Sequence, residues 1–513
     1  MYWCKIAQTQ AEFTAIAKLN YATFVEEIPQ HEPNASKEIK DRFHAENTYL
    51  VVYKETTIIG MLAFRDQRPF SLDEKIGAVE NYLNEEHCGK LCEIRLLAVA
   101  KAYRTGRVLL KLAQALYQFA YEKDYSAAVI SGTTREEKLY RQMGFTQFAS
   151  AVGTEEAKFL PMVLTRQQFE QSLQQRLPKD VYTFYPGPVK QFGEIKNSNL
   201  SHRSLAFQSL YERMKQRLLQ LSDANYVATF VGTGTLANEV LLGQLKTQQL
   251  GRGLILSNGE FGERLIGQAR KWDLVFDCVQ NAWRDPFDEK IIEAHLQMGT
   301  YNWLLFVHGE TSTGTCNDLD LLTKLTKRYK VKLCADCISS FGTMPFSLEN
   351  CYLATAVSGK AIGAISGLAF VFSQNIAERS TLPAYLDLAN YQHEQVPFTI
   401  PAALVTNMEM ALQTYPARFE QLQANFEALQ QLTLVREYQL QTTSYPMIVT
   451  IKLPKKYHDL SLDLKLNGLY VHGDSLYLRQ KNLVQIAVIQ PDFERAFKQL
   501  KEMLTYYKLV VEA

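Results

Sequence analysis

The stretch Ala354-Thr-Ala-Val-Ser-Gly-Lys360-Ala-Ile-Gly-Ala-Ile-Ser-Gly-Leu-Ala-Phe-Val-Phe372 sets one lysine in a loop of Gly, Ala and Ser between two apolar, strand-like runs. Small residues let a bulky planar group approach the backbone. Low polarity disfavours the charged amine, leaving a neutral nucleophile suited to condensing with a carbonyl cofactor. A lysine that only solvated a loop would have polar flanks, and these flanks are apolar. Lys360 is the expected centre of a Schiff-base site.

Three further segments supply what such a site needs. Val331-Lys-Leu-Cys-Ala-Asp336 reads as a strand delivering a carboxylate to its end, followed by the small-residue turn Cys337-Ile-Ser-Ser-Phe-Gly342. A carboxylate there can pair with a protonated pyridine nitrogen and strengthen the ring's pull on electrons, although a lone Asp at a strand end is more often a helix cap. Leu304-Leu-Phe-Val307 runs into the polar loop His308-Gly-Glu-Thr-Ser-Thr-Gly314 at a strand's carboxyl end, where open α/β sheets place ligands. Val231-Gly-Thr-Gly-Thr235 opens a helix, making Thr233, Gly234 and Thr235 candidate phosphate ligands through free N–H groups and the helix dipole. Small hydroxylated residues also serve as plain caps. Together the four segments call for pyridoxal phosphate (PLP).

The rest of the 513 residues is too long for one core, so two unequal domains, or three, are expected. Lys+Arg (55) and Asp+Glu (54) nearly cancel, which argues against nucleic acid as a partner. The start MYWCKIAQTQAEF lacks a secretory or transit pattern, and no run reaches about 18 apolar residues, so a cytoplasmic protein without a membrane span is expected. The cysteines form no framework; Cys334-Ala-Asp-Cys337 reads as buried strand-end residues, and no metal site is expected. Residues 1–164 mix helices with short strands. A Gln-rich linker helix is expected over 165–180, and then strands and helices alternate for about 200 residues, the mark of a mostly parallel sheet covered on both faces. A smaller lobe begins near Phe398.

From about Thr183 to Met503 the chain resembles the class V aminotransferases of PLP fold type I, in the alanine:glyoxylate, serine:pyruvate and 2-aminoethylphosphonate:pyruvate branch. The residues that carry this are Tyr185-Pro-Gly-Pro-Val189, Ser201-His-Arg-Ser204, Ser257-Asn-Gly-Glu-Phe-Gly262, His308–Gly314 and Ala335-Asp-Cys-Ile-Ser-Ser-Phe-Gly342, with Thr311, Asp336 and Lys360 at family-like spacings. The resemblance implies an α/β region 181–513. It has a large three-layer α/β/α domain over about 200–397, built on a mostly parallel seven-stranded sheet, and a small α+β lobe over about 398–513 that includes segment 181–199. It implies that Lys360 is the Schiff-base lysine and general base and Asp336 the pyridinium partner. Phe261 is then the stacking aromatic, Thr311 the contact to the ring's 3-hydroxyl side, and Thr233–Thr235 the phosphate cup. Thr399 would be a phosphate contact lent by a second subunit, so a homodimer with shared sites is implied. The family's carboxylate-gripping arginine is replaced by Gln485 in Leu483-Val-Gln485-Ile-Ala-Val488. Either Arg479 or Arg203, beside His202, substitutes in binding substrate, or the substrate is atypical, or the reaction is not transamination.

Leu97-Ala-Val-Ala-Lys-Ala-Tyr-Arg-Thr-Gly-Arg-Val-Leu-Leu110 and Leu139-Tyr-Arg-Gln-Met-Gly-Phe145 resemble the GNAT acyltransferases over residues 1–164, an α+β domain. Phe24-Val-Glu-Glu-Ile-Pro-Gln30 and Phe159-Leu-Pro-Met-Val163 place the likeness on the N-acyl amino acid synthase and homoserine-lactone synthase side. Gly106 matches the diphosphate loop, while Tyr103 and Val108 depart from it. The resemblance implies acetyl-CoA or another acyl-CoA, or an acyl carrier protein, as donor, with Tyr140 as acid and Glu93 as base. Against these stand a helix-anchoring Tyr140 and a solvated Glu93. The combined expectation is a bifunctional enzyme, in which a transaminase passing amino groups from a donor to a 2-oxo acid is joined to an N-acyltransferase. The alternative is a PLP lyase or decarboxylase with a regulatory or structural GNAT-like module.

Overall fold

The computed structural model describes residues 1–28, 31–84, 89–153, 158–172, 174–177, 181–440 and 445–512. Contacts divide the chain into two compact units, Met1–Tyr182 with Lys455–Tyr470 and Lys498–Ala513, and Thr183–Pro454 with Val471–Phe497.

The first unit is built on an eight-stranded sheet. Strands Thr48–Lys54 and Thr57–Arg65 pair as an antiparallel hairpin that turns at Glu55, which takes a positive φ. Apolar residues at 108, 112, 115 and 119 put one face of helix Arg107–Glu122 onto Leu50, Val52, Leu62 and Phe64 of that hairpin. Strands Leu91–Val99 and Ala127–Thr133 run parallel, but they pair only at Leu91↔Ala127, Cys92↔Ala128 and Glu93↔Val129. Beyond Glu93 they separate, and a cleft opens.

Strand Tyr2–Ile6 is an edge of this sheet. An open edge leaves backbone donors and acceptors unpaired. Here Cys4 N donates to Asn467 Oδ1 and Asn467 Nδ2 donates to Cys4 O, each at 2.8 Å, so one side-chain amide imitates a neighbouring strand. Ile6 N continues the pairing onto Asp463 Oδ1 at 2.8 Å. Beneath it lies a buried charge cluster. Lys5 Nζ sits 2.9 Å from Glu12 Oε1, with side chains 0% and 3% exposed, so water cannot screen the pair. Tyr53 OH donates to Glu12 Oε1, and Tyr507 OH to Asp463 Oδ2, both at 2.7 Å. Residues late in the chain thus complete the N-terminal sheet.

Among the described residues, the stretch expected as a linker helix over 165–180 is α-helical over Arg166–Gln171, capped by Thr165 and Gln168, with a 3-10 turn over Gln174–Arg176. Phe169 is buried and stacks on Tyr117 at 4.6 Å, so the segment packs against the first unit rather than hanging free in solvent.

The second unit holds a seven-stranded sheet in the order Tyr226–Val231, Leu368–Ser373, Cys351–Val357, Lys332–Asp336, Trp303–Val307, Gly253–Ser257 and Phe276–Gln280. Leu368–Ser373 is antiparallel to both neighbours, and the other pairings are parallel. Its central strands read as continuous apolar runs because helices cover both faces. One face packs helices Leu205–Ser222, Leu319–Tyr329 and Ala402–Gln430, and the other packs Gly234–Thr247 and Glu260–Lys271, giving three α/β/α layers. Ile448–Lys452 pairs antiparallel with Leu483–Ala487 apart from this sheet. No helix among the described residues is long and apolar enough to cross a membrane.

The Lys5–Glu12 pair gives a direct test. Lys5→Ala leaves Glu12 charged and buried without its cation, and should cost about 3–5 kcal/mol in denaturant unfolding of the first unit.

Candidate active sites

Lys360 follows strand Cys351–Val357 in a loop tied down by Ser358, whose Oγ donates to Ile365 O at 2.7 Å and accepts from Leu368 N at 3.2 Å. Its Nζ donates to Pro186 O at 2.8 Å. Burial pushes its pKa down to about 8, and the charge of Asp336 opposes that shift. Gly187, at φ +149°, passes so close that a Cβ there would stand 3.1 Å from Nζ. The glycine of the Pro-Gly-Pro segment therefore gives the lysine its room.

Asp336 ends the strand Lys332–Asp336 and is buried. Asn238 Nδ2, on helix Gly234–Thr247, donates to its Oδ2 at 2.7 Å, and Ile338 N to its Oδ1 at 2.9 Å. Asn238 is oriented in turn by Thr355 Oγ1, 2.9 Å from its Oδ1. Burial raises the pKa of Asp336, and the two donors with Lys360 and Arg264 act against that rise. Among the described residues no cation forms an ion pair with this carboxylate.

The His308–Gly314 loop is organised by Glu310, which had no assigned role in the sequence reading. Its carboxylate accepts from Gly262 N at 3.0 Å, Phe261 N at 3.4 Å and Ser312 N at 3.2 Å, and so caps helix Glu260–Lys271 from outside it. Burial raises its pKa to about 7. Phe261, the second residue of that helix, carries the Arg264 guanidinium 4.8 Å from its ring. Thr311 is buried, and its hydroxyl bonds Ser339 Oγ.

Gln485 is fully buried and spends its amide internally. Nε2 donates to Thr311 O at 2.7 Å and lies 3.0 Å from Thr450 Oγ1 and 3.2 Å from Ser312 O. Oε1 therefore faces His472 Nδ1 at 3.0 Å, which makes Nδ1 the protonated nitrogen and leaves Nε2 to accept from Ser475 Oγ at 2.7 Å. Gln485 is a strut under the Thr311 loop; the expected substrate contact is not presented. Arg479 is 66% exposed and lies 3.7 Å from Asp474. His202 is half-buried and Arg203 and Thr399 are exposed; none bonds to Lys360, Asp336 or Thr311 within the described residues. Thr233 is the N-cap residue of helix Gly234–Thr247 without a side-chain capping bond, and Thr233 and Thr235 are exposed, so neither hydroxyl is spent as a cap.

A buried carboxylate lacking a cation, a lysine with a depressed pKa, glycine at closest approach and a helix start with open hydroxyls fit PLP. Asp336 would face its ring nitrogen, Lys360 its aldehyde, and Thr233–Thr235 its phosphate.

The cleft of the first unit is a cavity of about 820 Å³ lined by both separated strands, and by Tyr140 and Gly106. Gly106 takes φ +77° and starts helix Arg107–Glu122, so that helix's first N–H groups lie at the cavity wall. Tyr140 is half-buried, and its ring crowds Gly132, where a Cβ would stand 2.8 Å from Cε2. Glu93 behaves differently from either expectation. It is fully buried rather than solvated, and its carboxylate accepts from Ser71 N at 2.9 Å, Ser71 Oγ at 2.7 Å and Leu72 N at 3.0 Å. It holds the Ser71 loop and is absent from the cavity wall.

Two families match the chain. Residues 15–167 match the N-acyl amino acid synthase FeeM family, and residues 189–386 match aminotransferase class V. The chain is 27% identical over 301 residues to the 2-aminoethylphosphonate–pyruvate transaminase of Pseudomonas entomophila, covering 53% of this chain and 81% of that one. It is 29% identical over 244 residues to the Pseudomonas aeruginosa protein of that name, covering 44% and 66%. Among solved structures it is similar in fold to an aspartate aminotransferase of subgroup IV from Thermus thermophilus (TM-score 0.56, 22% identity, 64% and 99% covered). It is likewise similar to the ureidoglycine–glyoxylate aminotransferase of Bacillus subtilis (TM-score 0.58, 16% identity, 66% and 95% covered). The site geometry and these matches agree: the chain joins an N-acyl amino acid synthase-like segment to a class V aminotransferase segment.

Proposed function

We propose that the second unit transfers amino groups with PLP, from an amine donor to a 2-oxo acid, and that the first unit N-acylates an amine from an acyl thioester. The observation that carries the first half is the pairing of Lys360, whose charge burial disfavours, with the cation-free buried carboxylate of Asp336. PLP, when bound, condenses with amines through its aldehyde and draws electrons from the bonds at the amine's α-carbon. Lys360 would supply the amine that holds the cofactor and would carry the proton at the substrate's α-carbon. Asp336 would keep the ring nitrogen protonated; Asn238 and Ile338 N hold that carboxylate, and the Gln485 strut holds the Thr311 loop. A homodimer in the cytoplasm, whose partner lends Thr399 to each site, belongs to the same proposal.

For the second half, the first unit's cavity of about 820 Å³ would take an acyl thioester, with the helix N–H groups behind Gly106 toward a diphosphate or phosphopantetheine phosphate and Tyr140 toward the leaving thiolate. The donor is an acyl-CoA or an acyl carrier protein.

Lys360→Ala should abolish the visible absorbance of covalently held cofactor and lower amino transfer by about 10²–10⁴-fold. Conversion of bound cofactor to pyridoxamine phosphate on adding donor supports transamination; a lyase or decarboxylase would turn over substrate and leave it as PLP. Loading has a pH signature. A folded pKa depressed to about 8 means the reactive neutral amine grows as pH rises through 8, so the rate of covalent PLP loading onto cofactor-free protein should climb across pH 7–9 and then level off. Acyl transfer is checked by mass spectrometry of amines incubated with acyl-CoA or acyl carrier protein. An N-acyl product that Tyr140→Phe reduces is expected, and its absence with both donors would refute this half.

A further inference from the structure

The wall of the first unit's cavity carries an amine that the reaction above does not use. Lys75, on the short helix Asp73–Ile76, lines the cavity, and its Nζ donates to Ser131 Oγ at 2.7 Å. Ser131 lies two residues beyond Val129, where its strand stops pairing with Leu91–Val99, so the hydroxyl that steadies the amine stands where the cleft opens. The ring of Phe159, also on the wall, lies 4.1 Å from Nζ. A hydroxyl and an aromatic face orient an ammonium, and neither neutralises it.

The arginines of this wall are already matched. Arg95 is bidentate to Asp41 at 2.6 and 3.1 Å, Arg104 bonds Glu27 at 2.6 Å, Arg42 bonds Glu74, and Arg135 lies 3.7 Å from Glu136. Lys75 forms no ion pair among the described residues. The carboxylates whose charges act on it are Glu93 and Glu74; the first is held behind the wall by Ser71 and Leu72, and the second by Arg42. Burial, with the charges of Arg95 and Arg42, keeps the pKa of Lys75 below the ordinary lysine value, and an anion at Nζ would favour the charged form again. The same wall holds an acceptor without a donor, since Asn20 is buried and its Oδ1 has no hydrogen-bond partner among the described residues. A ligand that brings both an anion and an N–H answers both groups.

We propose that Lys75 determines which amine the first unit acylates, by receiving a carboxylate of the acceptor while Ser131 holds the lysine in place. The inference rests on the acyltransferase reading and assigns that site its acceptor contact. In the transfer the acceptor's nitrogen bonds the acyl carbon as the carbon–sulfur bond breaks, and the proton that the nitrogen gives up balances the one that the thiolate takes. Lys75 has no part in that exchange. It fixes the acceptor, so its loss raises KM and leaves kcat near its starting value. The donor's phosphates are the other anions at hand. Their proposed place is the helix start behind Gly106, which follows strand Leu91–Val99, whereas Ser131 belongs to the opposite strand of the cleft.

Paired acceptors test this on the full chain, with decanoyl-CoA or decanoyl acyl carrier protein as donor. Phenylalanine against phenethylamine, and leucine against 3-methylbutylamine, differ only by the carboxylate. Lys75→Met should raise KM for each amino acid by about tenfold or more with little change in kcat, and leave KM for each amine within about twofold. Lys75→Arg, which keeps the charge, should recover most of the loss. A second readout needs no turnover: in calorimetry N-decanoylphenylalanine should bind the unaltered chain more tightly than N-decanoylphenethylamine, and Lys75→Met should erase the difference. A rise in KM for amines and amino acids alike, or equal binding of the two products, overturns the inference. A rise confined to the acyl donor also overturns it, and gives Lys75 to the donor's phosphate. Absence of an acyl product with every acceptor overturns the acyltransferase reading instead, and the binding comparison then still decides whether Lys75 receives a carboxylate.

Discussion

The constraint on which the second unit's chemistry depends is the burial of one carboxylate without an ion-pairing cation. Asp336 is held by two donors, Asn238 Nδ2 and Ile338 N, and both come from elements that the parallel sheet brings to one edge. A carboxylate in that state is costly to the fold unless a positive group joins it. The neighbouring amine bonds Pro186 O instead, and burial lowers its pKa to about 8. Burial thus disfavours the charged form of both the Asp336 carboxyl and the Lys360 amine, while the charge of each acts on the other.

Around that pair, side chains that make no claim to reactivity set the geometry. Glu310 caps the helix bearing Phe261. Gln485 ties down the loop bearing Thr311 and is itself oriented by the Ser475–His472 relay. Such a chain of directed hydrogen bonds in a dry interior permits one arrangement, because reversing the amide of Gln485 would set its oxygen against two backbone carbonyls. The same rigidity spends both ends of the Gln485 amide on the protein itself.

The first unit solves a different problem. Its reacting cleft exists because two parallel strands stop pairing after three residues, which leaves sheet edges exposed inside the unit. Stability is recovered elsewhere, at the outer edge strand Tyr2–Ile6, where Asn467 and Asp463 substitute for a missing neighbour and Lys5, Glu12, Tyr53 and Tyr507 bury a compensated charge cluster. Glu93 belongs to the same economy of support: three hydrogen bonds make it an anchor for the Ser71 loop, not a base in the cleft.

What the amino-acid sequence determined by itself was the order of the βα units and the chemistry around Lys360, Asp336 and Thr311. Those features are written in contiguous stretches: apolar runs long enough for buried strands, small residues where a cofactor must approach, and polar residues at strand ends. Only the tertiary structure decided the roles of Gln485, Glu310, Asn238 and Glu93, and the brevity of the helix after Thr165. Each depends on partners far away in the chain, as Gln485 does on Thr311 and Cys4 on Asn467. A side chain's type states which hydrogen bonds it can make; whether those bonds are spent on the fold or left for a substrate is settled only when distant segments are packed together.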